Sequence, residues 1–193
     1  MLHQKSNATC FNRYPEIFQF CQEYINGKTG LNVLSFGSSF GDEMQTFKEV
    51  YFKNDFIDGV DINPLCIEKC KERFGESSEI FSYDEFLNSS KKYDVIFAMS
   101  VLCKWEDTEL INDCSDVYPF SAFDGVINQL NDKLNVGGIL VVYNSNFRMS
   151  DSTCYDSFEA ITNDKLESGF VHKFDKHNIK MTDLYNNVVF KKI

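Results

Sequence analysis

The chain has 193 residues, 43% of them apolar and 15% aromatic, which suits one domain (1–193) with a full core. Its 19 basic and 29 acidic residues give a formal charge of −10, which repels a phosphate backbone; no nucleic-acid partner is expected, and Lys91-Lys92 and Lys191-Lys192 read as solvated surface. No apolar run reaches membrane-spanning length and MLHQKSNATC is too polar for a signal peptide, so a cytoplasmic protein without a membrane partner is expected.

In chain order, residues 1–13 are polar and irregular. Pro15 then opens a helix whose face is Ile17, Phe18, Cys21, Tyr24 and Ile25, stopped by Gly27 and Gly30, so that residues 1–30 form a covering segment. Val33, Leu34 and Phe36 predict a buried strand. Gly37 and Gly41 bracket a turn, and Met44, Phe47, Val50 and Tyr51 follow at helical spacing. Such a loop brings backbone N–H groups and a positive dipole end against a ligand. A second strand spans Phe56 to Ile62, with Asn63-Pro64 as cap and first residue of a helix to about Phe74. A weak strand at Glu79–Ser82 and a short turn at Glu85–Asn88 precede Tyr93–Met99, the best strand of the chain and apolar enough to be central and parallel.

Residues 104–119, with the sole tryptophan Trp105, read as a polar, irregular lid. A helix over Phe120–Leu134 faces the sheet through Phe123, Val126, Ile127 and Leu130, and Gly137-Gly138 lead into a strand over Ile139–Tyr143. Gly169–Lys180 and Asn187–Ile193 are expected to close the sheet as two further strands. The alternation predicts a three-layered α/β fold. Seven cysteines without a C-x-x-C pair argue for reduced thiols, several on core faces, and against a zinc site.

Three chemistries can use the glycine loop. Gly37-Ser38-Ser39-Phe40-Gly41 fits a nucleophile elbow around Ser39, but only 36 residues precede it, and the histidines beyond it, His172 and His177, lie in a polar C-terminal stretch. A dinucleotide loop needs a third glycine that this chain lacks. The remaining reading is an S-adenosylmethionine (SAM) loop of a class I methyltransferase, with Gly37, Ser39 and Gly41 at its small-residue positions; a turn that binds nothing is the bland alternative. Asp61, twenty residues after Gly41, ends the second strand where a carboxylate can accept both hydroxyls of a ribose, with Ile62 beside it. Asp84 stands either near an adenine amino group or as a cap for the short turn after it.

Three patterns in order carry a resemblance: Asn7-Ala8-Thr9-Cys10-Phe11-Asn12-Arg13, Ser35-Phe36-Gly37-Ser38-Ser39-Phe40-Gly41-Asp42-Glu43, and Tyr93-Asp94-Val95-Ile96-Phe97-Ala98-Met99-Ser100-Val101. Over roughly residues 5–146 the chain resembles the SAM-dependent methyltransferases that esterify glutamates of chemotaxis receptors. The resemblance implies a Rossmann-like, mostly parallel seven-stranded sheet of order 3-2-1-4-5-7-6 with the last strand antiparallel. It further implies that Asn7, Thr9 and Arg13 contact the methionine end of SAM or the reaction site. Glu43 would hold the cofactor's amino-acid portion, Asp61 its ribose, Asp84 would lie near adenine, and Met99 with Ser100 would line the pocket.

The departures bear on the substrate. Lys104 stands where the family has a tyrosine near the reacting centre, and Met99 and Ser100 replace an arginine and an asparagine. The chain is expected to lack the family's preceding helical domain and to have little room for its receptor-docking β-subdomain, so the acceptor, small molecule or protein, does not carry over. Arg13 is the first catalytic candidate, because a guanidinium can hold a carboxylate at two points. Lys104, Trp105, Asn144, Asn146 and Arg148 are candidates for the acceptor side. From a different class, a SAM-binding module that senses the cofactor without catalysis fits the lost tyrosine.

Overall fold

The computed structural model describes residues 7–163 and 165–193, so the first six residues of the polar N-terminal stretch lie outside it. Seven strands, β1 (Asn32–Phe36), β2 (Phe56–Asp61), β3 (Ile80–Ser82), β4 (Tyr93–Met99), β5 (Leu134–Tyr143), β6 (Phe158–Ile161) and β7 (Val189–Lys192), form one sheet of order β3-β2-β1-β4-β5-β7-β6. Strands β1, β2, β3 and β4 pair in parallel, whereas β7 runs antiparallel to both β5 and β6. The helices are α1 (Pro15–Ile25), α2 (Asp42–Thr46), α3 (Pro64–Phe74), α4 (Tyr83–Asn88), α5 (Trp105–Thr108) and α6 (Phe120–Lys133). Among the described residues no helix is long and apolar enough to cross a membrane.

The described residues fall into two compact units, one running up to Phe97 and the other comprising Ala98–Ile193. In the first, the apolar runs of β1 and β4 leave Val33, Leu34, Ile96 and Phe97 inaccessible to solvent. The α1 face seen in the sequence closes on them. Phe18 packs edge-on against Phe47 at 4.9 Å and against Phe97 at 5.5 Å. Each such ring contributes about 1.5–3 kcal/mol through burial, so this cluster fixes α1 and α2 against β4. Helix α2 runs on as a wider turn over Phe47–Tyr51, where Phe52 N–H reaches Phe47 O at 2.7 Å.

In the second unit Phe123, Ile127 and Leu130 of α6 are fully buried, as are Leu140 and Val141 of β5 and Phe190 of β7. Phe147 is the hub, within 5.7 Å of the rings of Tyr118, Phe120 and Phe123.

Three expectations change, the first being that β5 begins at Leu134, so that Gly137-Gly138 lie within the strand and not before it. The sixth strand is Phe158–Ile161 and not Gly169–Lys180. The 169–180 backbone cannot join a ladder, because Phe170 and Val171 donate their N–H groups to the Asn144 side chain and Phe174 donates to Asn146 O; only single bridges remain there. The stretch 104–119, expected to be irregular, contains α5 and is fastened by Cys114 N–H to Asn178 O and by Lys180 N–H to Asn112 O.

Candidate functional site

Strand β1 delivers the chain into the glycine loop, and three alternate residues there, Gly37, Ser39 and Gly41, take positive φ of 83°, 48° and 86°. Gly37 and Ser38 both donate their N–H to Val60 O of β2, at 2.8 and 2.9 Å, which locks the loop to the strand beside it. Gly41 is the N-cap of α2 and accepts from Gln45 N–H. A Cβ on Gly41 would stand 2.5 Å from the Phe74 ring and 3.2 Å from Cys70 Sγ, so only glycine lets α3 pass this close. Gly59 does the same from β2, where a Cβ would meet Met44 Sδ at 2.5 Å. The sequence reading left Gly59 without a role, although a glycine within an apolar strand is itself a sign of close approach.

Asp61 lies at the C-terminal end of β2, 9% exposed. Its Oδ2 accepts the N–H of Ser39 from the glycine loop and its Oδ1 accepts the N–H of Asn63, each at 2.8 Å. The carboxylate is thus held in one orientation by two backbone donors, and each oxygen keeps a further lone pair. Asn63 caps α3 by accepting from Leu65 N–H, with Pro64 next, as the sequence predicts. Ile62, between them, leaves an apolar side chain 49% exposed.

Residues 7–13 lie on this loop. Ser39 Oγ donates to Asn7 O at 3.0 Å, Arg13 Nη1 donates to Ala8 O, and Asn12 N–H reaches Thr46 Oγ1 on α2. Thr9 is half-buried on the same segment. Asn7, Thr9, Arg13, Gly37, Ser39, Gly41, Glu43, Asp61 and Ile62 therefore belong to one compact unit, with the N-terminal pattern resting on the glycine loop.

Glu43 shows the strongest electrostatic perturbation there. Burial raises its carboxyl to about 8, although the Ser35 hydroxyl donates to it at 2.7 Å and the Arg13 guanidinium pulls it down. At neutral pH it is mostly protonated, a carboxyl poised to ionise when a cation arrives. Ser35 belongs to the sequence pattern, yet no role was read for it; its place eight residues before Glu43 was the available signal. Beneath the loop, burial raises the thiols of Cys66 and Cys70, Cys70 to about 11, which leaves them unreactive.

The remaining candidates sit on other elements. Asp84 is exposed on α4 and does not cap it: Ser82 does, with Glu85 returning the bond to Ser82 N–H, because the capping box offers two reciprocal hydrogen bonds. In the second unit Met99 is nearly buried, and Ser100 (φ 55°) accepts from the Asn144 side chain. Asn144 and Asn146 are buried clamps: Asn146 Oδ1 accepts Lys104 N–H, and its amide donates to Thr108 Oγ1 and His172 O. Lys104 Nζ donates to Val117 O, and Arg148 pairs with Asp151. Trp105 is 37% exposed, edge-on to Phe170. Among the described residues no group of His, Cys, Asp and Glu is arranged to hold a metal ion.

The fold was compared with solved structures. A ribosomal protein L11 methylase from Lactobacillus delbrueckii subsp. bulgaricus superposes with a TM-score of 0.57 at 14% identity, over 83% of this chain and 77% of that one. The fold is that of the class I methyltransferases. Two further methyltransferases match less completely. An amino pentose methyltransferase from Micromonospora echinaspora matches at TM-score 0.49 and 14% identity, over 71% of this chain and 50% of that one. The plantazolicin methyltransferase BpumL, in complex with SAH, matches at 0.47 and 19%, over 67% and 46%. The chain thus spans about half the length of each of these two. No family model and no curated protein matches the sequence.

Proposed function

We propose that this chain is a SAM-dependent methyltransferase whose cofactor is held by the glycine loop, the end of β2 and the segment 7–13. The observation that carries the reading is the Asp61 carboxylate, fixed by one N–H from the glycine loop and one from the start of α3, with lone pairs left for the two hydroxyls of a ribose. Ile62 supplies an exposed apolar side chain next to it, suited to the face of an adenine. Glu43 would pair with the cofactor's ammonium, and ionise in doing so. The kinship with the receptor glutamate methyltransferases belongs to the same proposal, supported by an N-terminal pattern that lies on the loop.

Bound there, SAM would supply a methyl carbon activated by its sulfonium. The chain's part is orientation: Asp61 and Glu43 fix two ends of the cofactor, and Arg13, exposed at the edge of the loop, holds an acceptor carboxylate in line. An acceptor carboxylate needs no base, because its lone pair forms the new bond as the carbon–sulfur bond breaks. A hydroxyl or amine acceptor would need a proton acceptor within hydrogen-bond reach.

The experiment is methyl transfer from labelled SAM to a panel of carboxylic acids, peptides and amines, with Arg13→Ala alongside. Transfer to at least one carboxylate, lowered about 10–100-fold in the variant with SAM affinity kept within about threefold, is expected. Transfer to no acceptor by a chain that binds SAM would remove the enzymatic reading, and transfer indifferent to Arg13 would remove its role.

A further inference from the structure

Both hydrogen bonds that fix the Asp61 carboxylate lead back to one helix of the first unit. Asn63, whose N–H holds Oδ1, is the N-cap of α3. Ser39, whose N–H holds Oδ2, is met by a side chain further along the same helix: Cys70, inaccessible to solvent, donates its thiol proton to Ser39 O at 3.1 Å. Ser38 Oγ lies 4.0 Å from the same sulfur, and one residue further along the loop Phe40 O accepts from Arg73 Nη1 at 2.9 Å. Two successive carbonyls of the glycine loop are thus tied to α3. Asp61, Ser39, Cys70 and Asn63 close a ring through the helix.

Ser39 needs such a hold. It is not a glycine, and its φ of 48° lies in the left-handed region that a β-carbon disfavours. Its polar groups are all engaged, the N–H with Asp61, Oγ with Asn7 O and the carbonyl with the thiol. Burial pushes the Cys70 thiol up to about 11, so at neutral pH it keeps the proton that it donates. Being fully buried, Cys70 acts on the loop without meeting a ligand. Cys21 on α1 is equally inaccessible, but burial alone acts on its thiol.

We propose that Cys70 is a positioning residue: its thiol holds Ser39 in the left-handed turn that aims the Ser39 N–H at Asp61, and thereby sets the preference of this site for a ribose. The second clause rests on the methyltransferase reading; the first does not.

Amide exchange, followed by nuclear magnetic resonance on the ligand-free chain, tests the first clause. Cys70→Ala should speed exchange at Ser39 about tenfold or more, while Gly37 and Ser38, which are bonded to Val60 O, stay within about threefold of the parent. Cys70→Ser keeps a donor and should leave all three amides near the parent, as should Cys21→Ala. Unchanged exchange at Ser39 in Cys70→Ala, or equal acceleration at all three amides, would reduce the thiol to packing and overturn the proposal. If Cys70→Ala does not fold, the S–H stretching band decides. A band below that of a free thiol, lost from Cys70→Ser, is expected, and its absence would overturn the hydrogen bond.

Calorimetry with S-adenosylhomocysteine and its 2′-deoxy analogue tests the second clause. The parent should prefer the ribose ligand about tenfold or more, because a ribose hydroxyl bonds a charged oxygen, and Cys70→Ala should cut that preference about threefold or more. Cys70→Ser and Cys21→Ala should keep it. A preference kept in Cys70→Ala, with both affinities lowered alike, would overturn the second clause. A parent that binds neither ligand, or both equally, would remove the ribose from Asp61 and the second clause with it, whereas the exchange result decides the first clause in either case.

Discussion

Glu43 carries the clearest residue-scale consequence. Its folded carboxyl titrates near 8 against an ordinary value of 4.5, so between those limits the native chain binds a proton that the unfolded chain has released. Stability contributed at this position is therefore present below about 4.5 and falls as pH rises toward about 8. Glu43→Gln keeps an acceptor for Ser35 and cannot ionise. Thermal melts should show the ligand-free variant more stable than the parent at pH 8.5, by on the order of 1–2 kcal/mol after allowance for solvent access, with the gap closing by pH 4.5; equal melting at both pH values would remove the burial argument. If SAM's ammonium meets this carboxyl, binding near pH 7 releases a proton. The heat of binding should then change with the ionisation enthalpy of the buffer, and a heat independent of buffer would contradict the pairing. At this scale the sequence pattern pointed to Asn7, Arg13, Ser39 and Asp61 as neighbours of one loop, because short motifs and one carboxylate at a strand end have fixed offsets; their contact with a cofactor belongs to the proposal. It was not legible in Asn144 and Asn146, since an amide looks the same in sequence whether it faces a ligand or clamps two backbone segments.

Elements were legible where the apolar period was long and misread where hydrogen bonds outside the ladder decide. Strand β4 declared itself through a nearly continuous apolar run and β1 through the shorter run of Val33, Leu34 and Phe36. The four residues of β6 alternate only weakly, with Phe158 inward and Glu159 outward on an edge, whereas 169–180 holds more apolar residues and yet is tied down by side-chain amides. The glycine loop was legible as a turn, but its closeness to α3 was not. Gly41→Ala should destabilise by about 1–3 kcal/mol, from a left-handed φ and a crowded Phe74 ring, and weaken SAM binding as well. Denaturant melts of Gly41→Ala beside Gly27→Ala, which has positive φ and open surroundings, separate strain from crowding; equal losses would mean that the approach to Phe74 contributes nothing. At the other end of the half-sheet, Ser82→Ala removes the α4 cap and should cost about 1 kcal/mol, readable in the same melts.

At the scale of the whole molecule, the formal charge of −10 sets the background. Self-repulsion of this size should make the melting temperature rise with salt between about 10 and 300 mM, since the Debye length falls from roughly 30 Å to below 10 Å over that range. The sheet order was read through a family resemblance, because an alternation of strands and helices gives an α/β class but no order of strands. The central claim is that the unit ending at Phe97 holds SAM with Asp61 on its ribose. Calorimetric titration of the chain with SAM and, separately, with S-adenosylhomocysteine tests it most directly. Two companions are Asp61→Ala, with its melting temperature followed, and Ile62→Arg, which alters an exposed side chain at little cost to the fold. The account predicts one-to-one binding of both ligands in the micromolar range, about −8 kcal/mol, weakened about tenfold or more in each variant. A folded chain that takes up neither ligand, or binds both with affinity indifferent to Asp61 and Ile62, would contradict it.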